Sequence, residues 1–207
     1  MRIVGGEWRG RPIEAPSGRD VTRPTTDRVR EAMASMLLSA RGLDLDGARV
    51  LDAYAGSGAM GLELLSRGAG WCTFVDIDRT AQMRVRKNAA SLGADPSVYA
   101  VIRGDVEALG GRPLRGAPFD IVLLDPPYAT EAVRVSALVE RLARAGSLAE
   151  GALVVYERSD SAPGIEPVGF SAVKQKRYGI TAVDLLRRDS DPAPTGPNVT
   201  KDTHERA

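Results

Sequence analysis

The chain has 207 residues, 43% hydrophobic and 27% charged. This fits one domain of ordinary size with a sizeable core and excludes disorder throughout or a fibrous repeat. With 28 Lys+Arg against 27 Asp+Glu, the net charge of +1 argues against a protein that coats nucleic acid or membrane over its whole surface. The sum conceals an asymmetry: residues 1–30 hold seven Arg and four acidic residues, whereas residues 189–207 hold two basic and four acidic ones, so the N-terminal edge is the basic end.

Taken in chain order, residues 2–14 read as two short strands around Gly5-Gly6 and Gly10, a hairpin-like arm carrying Trp8, Arg9 and Arg11. After a Pro/Gly-punctuated connection, Thr25 or Thr26 can cap a helix whose apolar positions Val29, Met33, Met36 and Leu37 recur at helical spacing and which should end near Arg41-Gly42. From residue 48 apolar runs alternate with helix candidates. Val50-Leu51, Cys72 to Val75, Val98 to Ile102 and Ile121 to Leu124 read as buried strands; 59–67, 79–91, 106–110 and 130–145 read as the helices after them. Such alternation predicts a parallel sheet with helices on both faces. A fifth strand, Leu153 to Glu157, leads to runs at about 170–178 and 180–187, whose short join at Tyr178-Gly179-Ile180 permits only an antiparallel pair. Residues 189–207, with three prolines and few apolar side chains, form an acidic tail expected to be disordered.

A single cysteine, Cys72, closes no intramolecular disulfide, and no paired Cys/His spacing suggests a metal, so we expect a reducing cytoplasm and no metal site. No apolar run approaches the ~18 residues of a membrane span. The one histidine, His204, lies in the tail, which makes a histidine base an improbable centre of catalysis.

Three motifs carry chemistry. The first is Asp52-Ala53-Tyr54-Ala55-Gly56-Ser57-Gly58-Ala59-Met60-Gly61, a strand entering a glycine turn and a helix, where glycines let backbone approach a ligand and helix amides face it. Gly56 to Gly61 satisfies the dinucleotide fingerprint with Asp76 twenty residues on, so an NAD-dependent oxidoreductase is a competitor on this evidence. Asp52 favours another ligand. A carboxylate at a buried strand end calls for a cation, which S-adenosylmethionine offers and a pyrophosphate does not, although Asp52 could also accept loop amides. The second motif, Val75-Asp76-Ile77-Asp78, ends the second strand: Asp76 can hold ribose hydroxyls, Ile77 can pack on adenine and Asp78 can cap the next helix. Asp105, before Val106, can accept from an adenine amine or serve as an N-cap.

The third motif, Asp125-Pro126-Pro127-Tyr128, follows a buried strand at the carboxyl end of the sheet. Acceptors without donors suit an exocyclic amine: its hydrogens go to Asp125 and the Pro126 carbonyl, while Tyr128 stacks on the base. Held so, with its lone pair aimed at a sulfonium methyl, the amine needs no strong base.

These motifs resemble the class I methyltransferases that modify exocyclic amines. The opening, Arg2-Ile3-Val4-Gly5-Gly6-Glu7-Trp8-Arg9-Gly10-Arg11 with Arg23-Pro24-Thr25-Thr26-Asp27-Arg28-Val29-Arg30-Glu31, is similar to the bacterial RsmD-type family, which methylates guanine N2 in small-subunit ribosomal RNA. The resemblance runs from Arg2 to about Arg188. It implies a Rossmann-like seven-stranded class I methyltransferase sheet, mostly parallel with an antiparallel last hairpin, plus a small N-terminal hairpin and helix. The corresponding division is 1–41 for the basic arm and helix, 42–188 for the methyltransferase domain and 189–207 for the tail.

The implied cofactor is S-adenosylmethionine, leaving as S-adenosylhomocysteine, and the implied partner is 16S rRNA in the small subunit or its assembly intermediate, bound by a monomer. Asp52, Tyr54, Ala55, Gly56, Ser57 and Gly58 would hold the methionine side, Asp76 and Ile77 the ribose and adenine, Asp105 and Val106 the adenine edge, and Asp125 to Tyr128 the target base. In this family the segment from Arg23 to Glu31 lies near the active site. We expect RNA contacts from Arg2, Trp8, Arg9, Arg11, Arg23, Arg28 and Arg30, with Lys174, Lys176 and Arg177 extending that surface. Adenine-N6 methylation is the nearest rival, since the same acceptor motif serves both amines.

Overall fold

A computed structural model describes residues 1–16 and 27–190. The expected Thr25/Thr26 cap, Arg23 and residues 191–207 of the tail lie outside the described residues. The elements are α1 (Asp27–Ala40), β1 (Arg49–Asp52), α2 (Ala59–Ser66), β2 (Trp71–Asp76), α3 (Arg79–Leu92), β3 (Tyr99–Arg103), α4 (Val106–Leu109), β4 (Phe119–Leu124), α5 (Ala132–Arg144), β5 (Leu148–Ser159), β6 (Phe170–Tyr178) and β7 (Thr181–Arg188). They form one seven-stranded sheet in the order β3-β2-β1-β4-β5-β7-β6. The first five strands in that order run parallel, and β7 is antiparallel to both β5 and β6.

The strands read as continuous apolar runs because both faces are covered. Val50, Cys72, Phe74, Ile121, Leu123, Val155 and Val183 belong to one core with α1, α2 and α3. Leu51, Val75, Val122, Leu124, Val154, Tyr156 and Leu186 belong to the other, under α5, whose Val135, Leu138, Val139 and Leu142 follow helical spacing. α3 starts where Asp78 accepts from the Thr80 amide and ends at Gly93, whose φ of 74° is the left-handed geometry of a helix stop. β5 is longer than the apolar run Leu153 to Glu157 suggests, because a register shift between Phe119 and Ile121 lets Leu148 pair with β4 upstream of Gly151, a strand residue at φ 65°.

The N-terminal arm is hairpin-like, but its ladder is reduced to a bridge between Arg2 and Pro12, supported by backbone bonds such as Ile3 N–H to Arg11 O. Its stability comes from docking. Ile3, Trp8 and Ile13 are buried in the core shared by α1 to α3. The fully buried carboxylate of Glu63 on α2 accepts from the Val4 and Gly5 amides, both at 2.7 Å, and from Arg67 Nε at 2.8 Å. Ser66 adds three bonds: its Oγ donates to Gly5 O and accepts from Trp8 N–H, and its carbonyl accepts from Glu7 N–H. A Cβ on Gly6, at φ 77°, would stand 1.9 Å from that carbonyl, so only glycine fits the contact. Among the described residues, no helix is long and apolar enough to cross a membrane.

Candidate active site

Strand order reverses between β1 and β4, and the crevice above their carboxyl ends is where open α/β sheets bind ligands. Two connected cavities occupy it. An outer cleft of ≈ 540 Å³ is lined by Asp76, Ile77, Asp105, Val106 and Asp125 to Tyr128, among others. An inner chamber of ≈ 120 Å³ lies beneath α1, lined by Arg30, Met33, Asp52, Ala55, Ser57 and Leu123, among others. Tyr54, Gly56, Asp125 and Glu157 line both and so stand at the junction. The outer volume falls in the range of ~300–1,000 Å³ that suits a nucleoside-sized ligand.

The glycine loop is positioned from three sides. Ala53 N–H donates to Leu123 O and Ala55 N–H to Val75 O, extending the ladder of β1 toward both neighbouring strands. Gly56 N–H donates to Asp76 Oδ2 at 2.8 Å. Buried Asn88 of α3 donates to Ser57 O at 2.9 Å and to Glu14 O at 3.1 Å, joining the loop to the N-terminal arm. The glycines have different tasks. Gly56, at φ 54°, has open space where a Cβ would be, whereas a Cβ on Gly61 would stand 2.4 Å from Phe74 and 3.0 Å from Asp52 Oδ2. Gly56 leaves the cleft accessible; Gly61 lets α2 press against the sheet.

Asp52 is 6% exposed, and its Oδ2 accepts from the Gly61 amide at 3.1 Å. It forms no ion pair among the described residues. Burial, reinforced by the Asp76 charge and opposed by the Gly61 amide, pushes its carboxyl up to about 7. The Tyr54 hydroxyl is also buried without a hydrogen-bond partner among the described residues. Burial, with the Glu107 and Asp105 charges, pushes it up to about 12, so it remains a phenol donor at neutral pH. Asp52 lines only the inner chamber, whereas the Tyr54 hydroxyl has Glu107 and Asp105 as charged neighbours; the uncompensated buried acid fits a ligand that bears an ammonium.

Asp76 is half-buried at the end of β2, with its oxygens held by the Gly56 and Asp78 amides. Ile77 is 67% exposed over the cleft. Asp105 is the N-cap of α4, accepting from Glu107 N–H at 2.9 Å, and lines the cleft as well. Asp125 is exposed, Pro126 is buried, and the Pro127 carbonyl accepts from Thr130 N–H, closing a turn that leaves Tyr128 57% exposed.

The structure separates the arginines and tryptophan expected to meet RNA. Trp8 is a core side chain, which corrects the expectation of an RNA contact there. Arg30 is 1% exposed; it donates to Arg2 O and Asp27 Oδ1 and borders the inner chamber, so it is no surface contact. Arg11 donates to the Ser91 and Leu92 carbonyls, satisfying the carboxyl end of α3. Arg2 is exposed and paired with Asp27, and Arg9 and Arg28 are exposed.

Sequence reasoning missed Glu157, Met33 and Asn88 as parts of this site. Glu157 carries the same signal as Asp52, an acid closing a buried strand. Arg30, expected as an RNA contact in a segment near the active site, instead borders the inner chamber from the buried face of α1 beside Val29 and Met33.

A family described as conserved hypothetical protein 95 matches residues 1–187. Ribosomal RNA small subunit methyltransferase D of Escherichia coli is 35% identical over 192 residues, covering 92% of this chain and 91% of that protein. The solved structure of the Escherichia coli protein yhhF superposes with a TM-score of 0.76 at 32% identity, over 92% of this chain and 99% of that one. Magnesium protoporphyrin IX methyltransferase of Synechocystis, solved with bound S-adenosylmethionine, shares the fold at a TM-score of 0.59 and 21% identity, over 78% of this chain and 79% of that one.

Proposed function

The chain belongs to the family of ribosomal RNA small subunit methyltransferase D, and from that premise we propose that it methylates the exocyclic N2 amine of a guanine in 16S rRNA, using S-adenosylmethionine. The observation that carries this reading is the junction: Asp125, head of the amine-holding motif, lines both the nucleoside-sized cleft and the chamber that contains the uncompensated Asp52. When bound, S-adenosylmethionine supplies an electrophilic sulfonium methyl group. Asp76 holds the ribose hydroxyls, Ile77 covers the adenine, and Asp105 and Val106 form its edge. Asp52 binds the ammonium of the methionine moiety, beside Tyr54, Ala55, Gly56, Ser57 and Gly58.

At the acceptor end, Asp125 takes one hydrogen of the amine and the Pro126 carbonyl the other, while Pro127 stiffens the turn and Tyr128 stacks on the base. This arrangement aims the nitrogen lone pair and stabilises the positive charge that develops as the new N–C bond forms. Asp125 is exposed, so the proton shed by nitrogen passes through it to water. The guanine must be splayed from its stack to reach this motif.

Exposed Arg2, Arg9 and Arg28 and the edge strand β6 grip the RNA. Lys174, Lys176 and Arg177 of β6 are exposed with no ion pair among the described residues, and the strand contains no acid. In this reading residues 1–41 support RNA engagement, 42–188 perform transfer as a monomer in the cytoplasm, and 189–207 take no part. Labelled-methyl transfer to small subunits from a strain lacking the enzyme, followed by nucleoside analysis, tests it: N2-methylguanosine is expected, and N6-methyladenosine would favour the rival amine. Asp125→Ala should keep the melting shift given by S-adenosylhomocysteine and lose transfer. A shift produced by NAD alone would overturn the assignment.

A further inference from the structure

Glu157 lies at the base-binding end of the junction, and methyl transfer as described does not use it. It is 6% exposed, yet it lines both the outer cleft and the inner chamber. Its position is set by the sheet. The parallel register Leu123↔Val155 and Leu124↔Tyr156, continued by one residue, places Glu157 beside Asp125. Leu123 and Val155 face the core under α1, and the period of two directs Asp125 and Glu157 to that same side. On its other flank Glu157 pairs with Val183 of β7, so its backbone belongs to a strand rather than to a loop. Asp52 at the end of β1, Asp125 just after β4 and Glu157 within β5 thus border one chamber, although among the described residues no group of acids is placed to hold a metal ion.

We propose that Glu157 selects guanine, its carboxylate accepting the ring N1–H of the target base while Asp125 holds the neighbouring amine. This rests on the amine-methylation reading above. Adenine and cytosine also carry an exocyclic amine, but the ring nitrogen beside that amine presents a lone pair. Guanine alone presents an N–H there, so its edge offers three hydrogens in a row. Asp125, the Pro126 carbonyl and, in its ionised form, Glu157 supply the acceptors. For adenine or cytosine the Glu157 carboxylate would confront a ring lone pair in a poorly solvated position, a repulsive contact where guanine makes a hydrogen bond. Sites that hydrogen-bond a substrate group discriminate more strongly than apolar pockets of similar size.

The test replaces the mapped target guanine with 2-aminopurine, which keeps the amine and loses N1–H, in 16S rRNA reconstituted into small subunits. The wild-type enzyme should prefer guanine by roughly 10- to 100-fold in kcat/KM, the range for one well-placed base contact. Glu157→Gln can turn an amide N–H toward the lone pair, so it should reduce that preference to about threefold or less. Its melting shift with S-adenosylhomocysteine should remain, showing that the cofactor side is intact. Equal wild-type rates on the two bases, or an undiminished preference in Glu157→Gln, overturns the proposal. A wild-type enzyme that methylates neither base overturns the underlying reaction, a different outcome from either.

Discussion

Asp52→Asn probes the electrostatics of the inner chamber most directly. Burial raises the Asp52 carboxyl from its ordinary 3.8 to about 7, so the fold favours the neutral acid. The stability contributed by its protonated form is fully present below about pH 4 and is lost as pH rises through about 7. At ~1.4 kcal/mol per pH unit the difference approaches about 4 kcal/mol, an upper bound because local relaxation and water entry reduce it. An ammonium ligand reverses the sign, since it binds the ionised carboxylate. With a midpoint near 7, about a tenth of the protein is ionised at Asp52 at pH 6 and about nine-tenths at pH 8, which predicts ~10-fold tighter binding at pH 8. S-adenosylhomocysteine is the appropriate probe because it keeps the ammonium and lacks the sulfonium. Calorimetric titration at pH 6, 7 and 8 should show that rise in the wild type. In Asp52→Asn the rise should disappear, binding at pH 8 should be weaker than wild type, and resistance to urea at pH 8 should increase. A flat pH profile in the wild type, or Asp52→Asn that binds normally at pH 8, would refute the assignment.

Glu63→Ala should destabilise the protein by ~3–5 kcal/mol and lower Tm by roughly 6–20 °C, because two amides and Arg67 lose a buried partner; a change within 2 °C, about the noise of a surface substitution, would mean that the arm docks by other means. Trp8→Ala should likewise cost ~3–5 kcal/mol in urea denaturation while leaving the salt dependence of RNA binding unchanged. Replacing Lys174, Lys176 and Arg177 together by Ala should leave Tm nearly unchanged and reduce the log–log salt slope of RNA binding by about 2, as expected for three lost contacts to single-stranded phosphates. An unchanged slope would remove β6 from the RNA surface.

Most of the fold was legible because hydrophobic runs and glycine turns are local signals. The alternation from residue 48 implied parallel strands, and the join at Tyr178-Gly179-Ile180 implied the antiparallel pair that β6 and β7 form. Asp78 as a helix cap was also local, since it needs only the Thr80 amide two residues on. Charge was misleading at the N-terminus. Seven arginines in thirty residues suggest a phosphate-binding arm, but Arg11 satisfies helix carbonyls and Arg30 is enclosed. Deleting residues 1–30 would therefore remove core side chains along with surface cations, so substitution of exposed residues is the cleaner test.

The sequence by itself determined which groups the protein brings to its ligands: glycines that let backbone approach, acids at strand ends, and an amine-holding motif bounded by prolines. Each depends on residue type and on spacing within a few positions, where chain connectivity already constrains geometry. Tertiary structure alone decided how these groups are shared. Asp52, Asp125 and Glu157 come from strands far apart in the chain and become neighbours only through the order β1-β4-β5. The same packing turned Trp8 from a surface aromatic into core, because burying its ring in the core shared by α1 to α3 removes more apolar area from water than an exposed arm could.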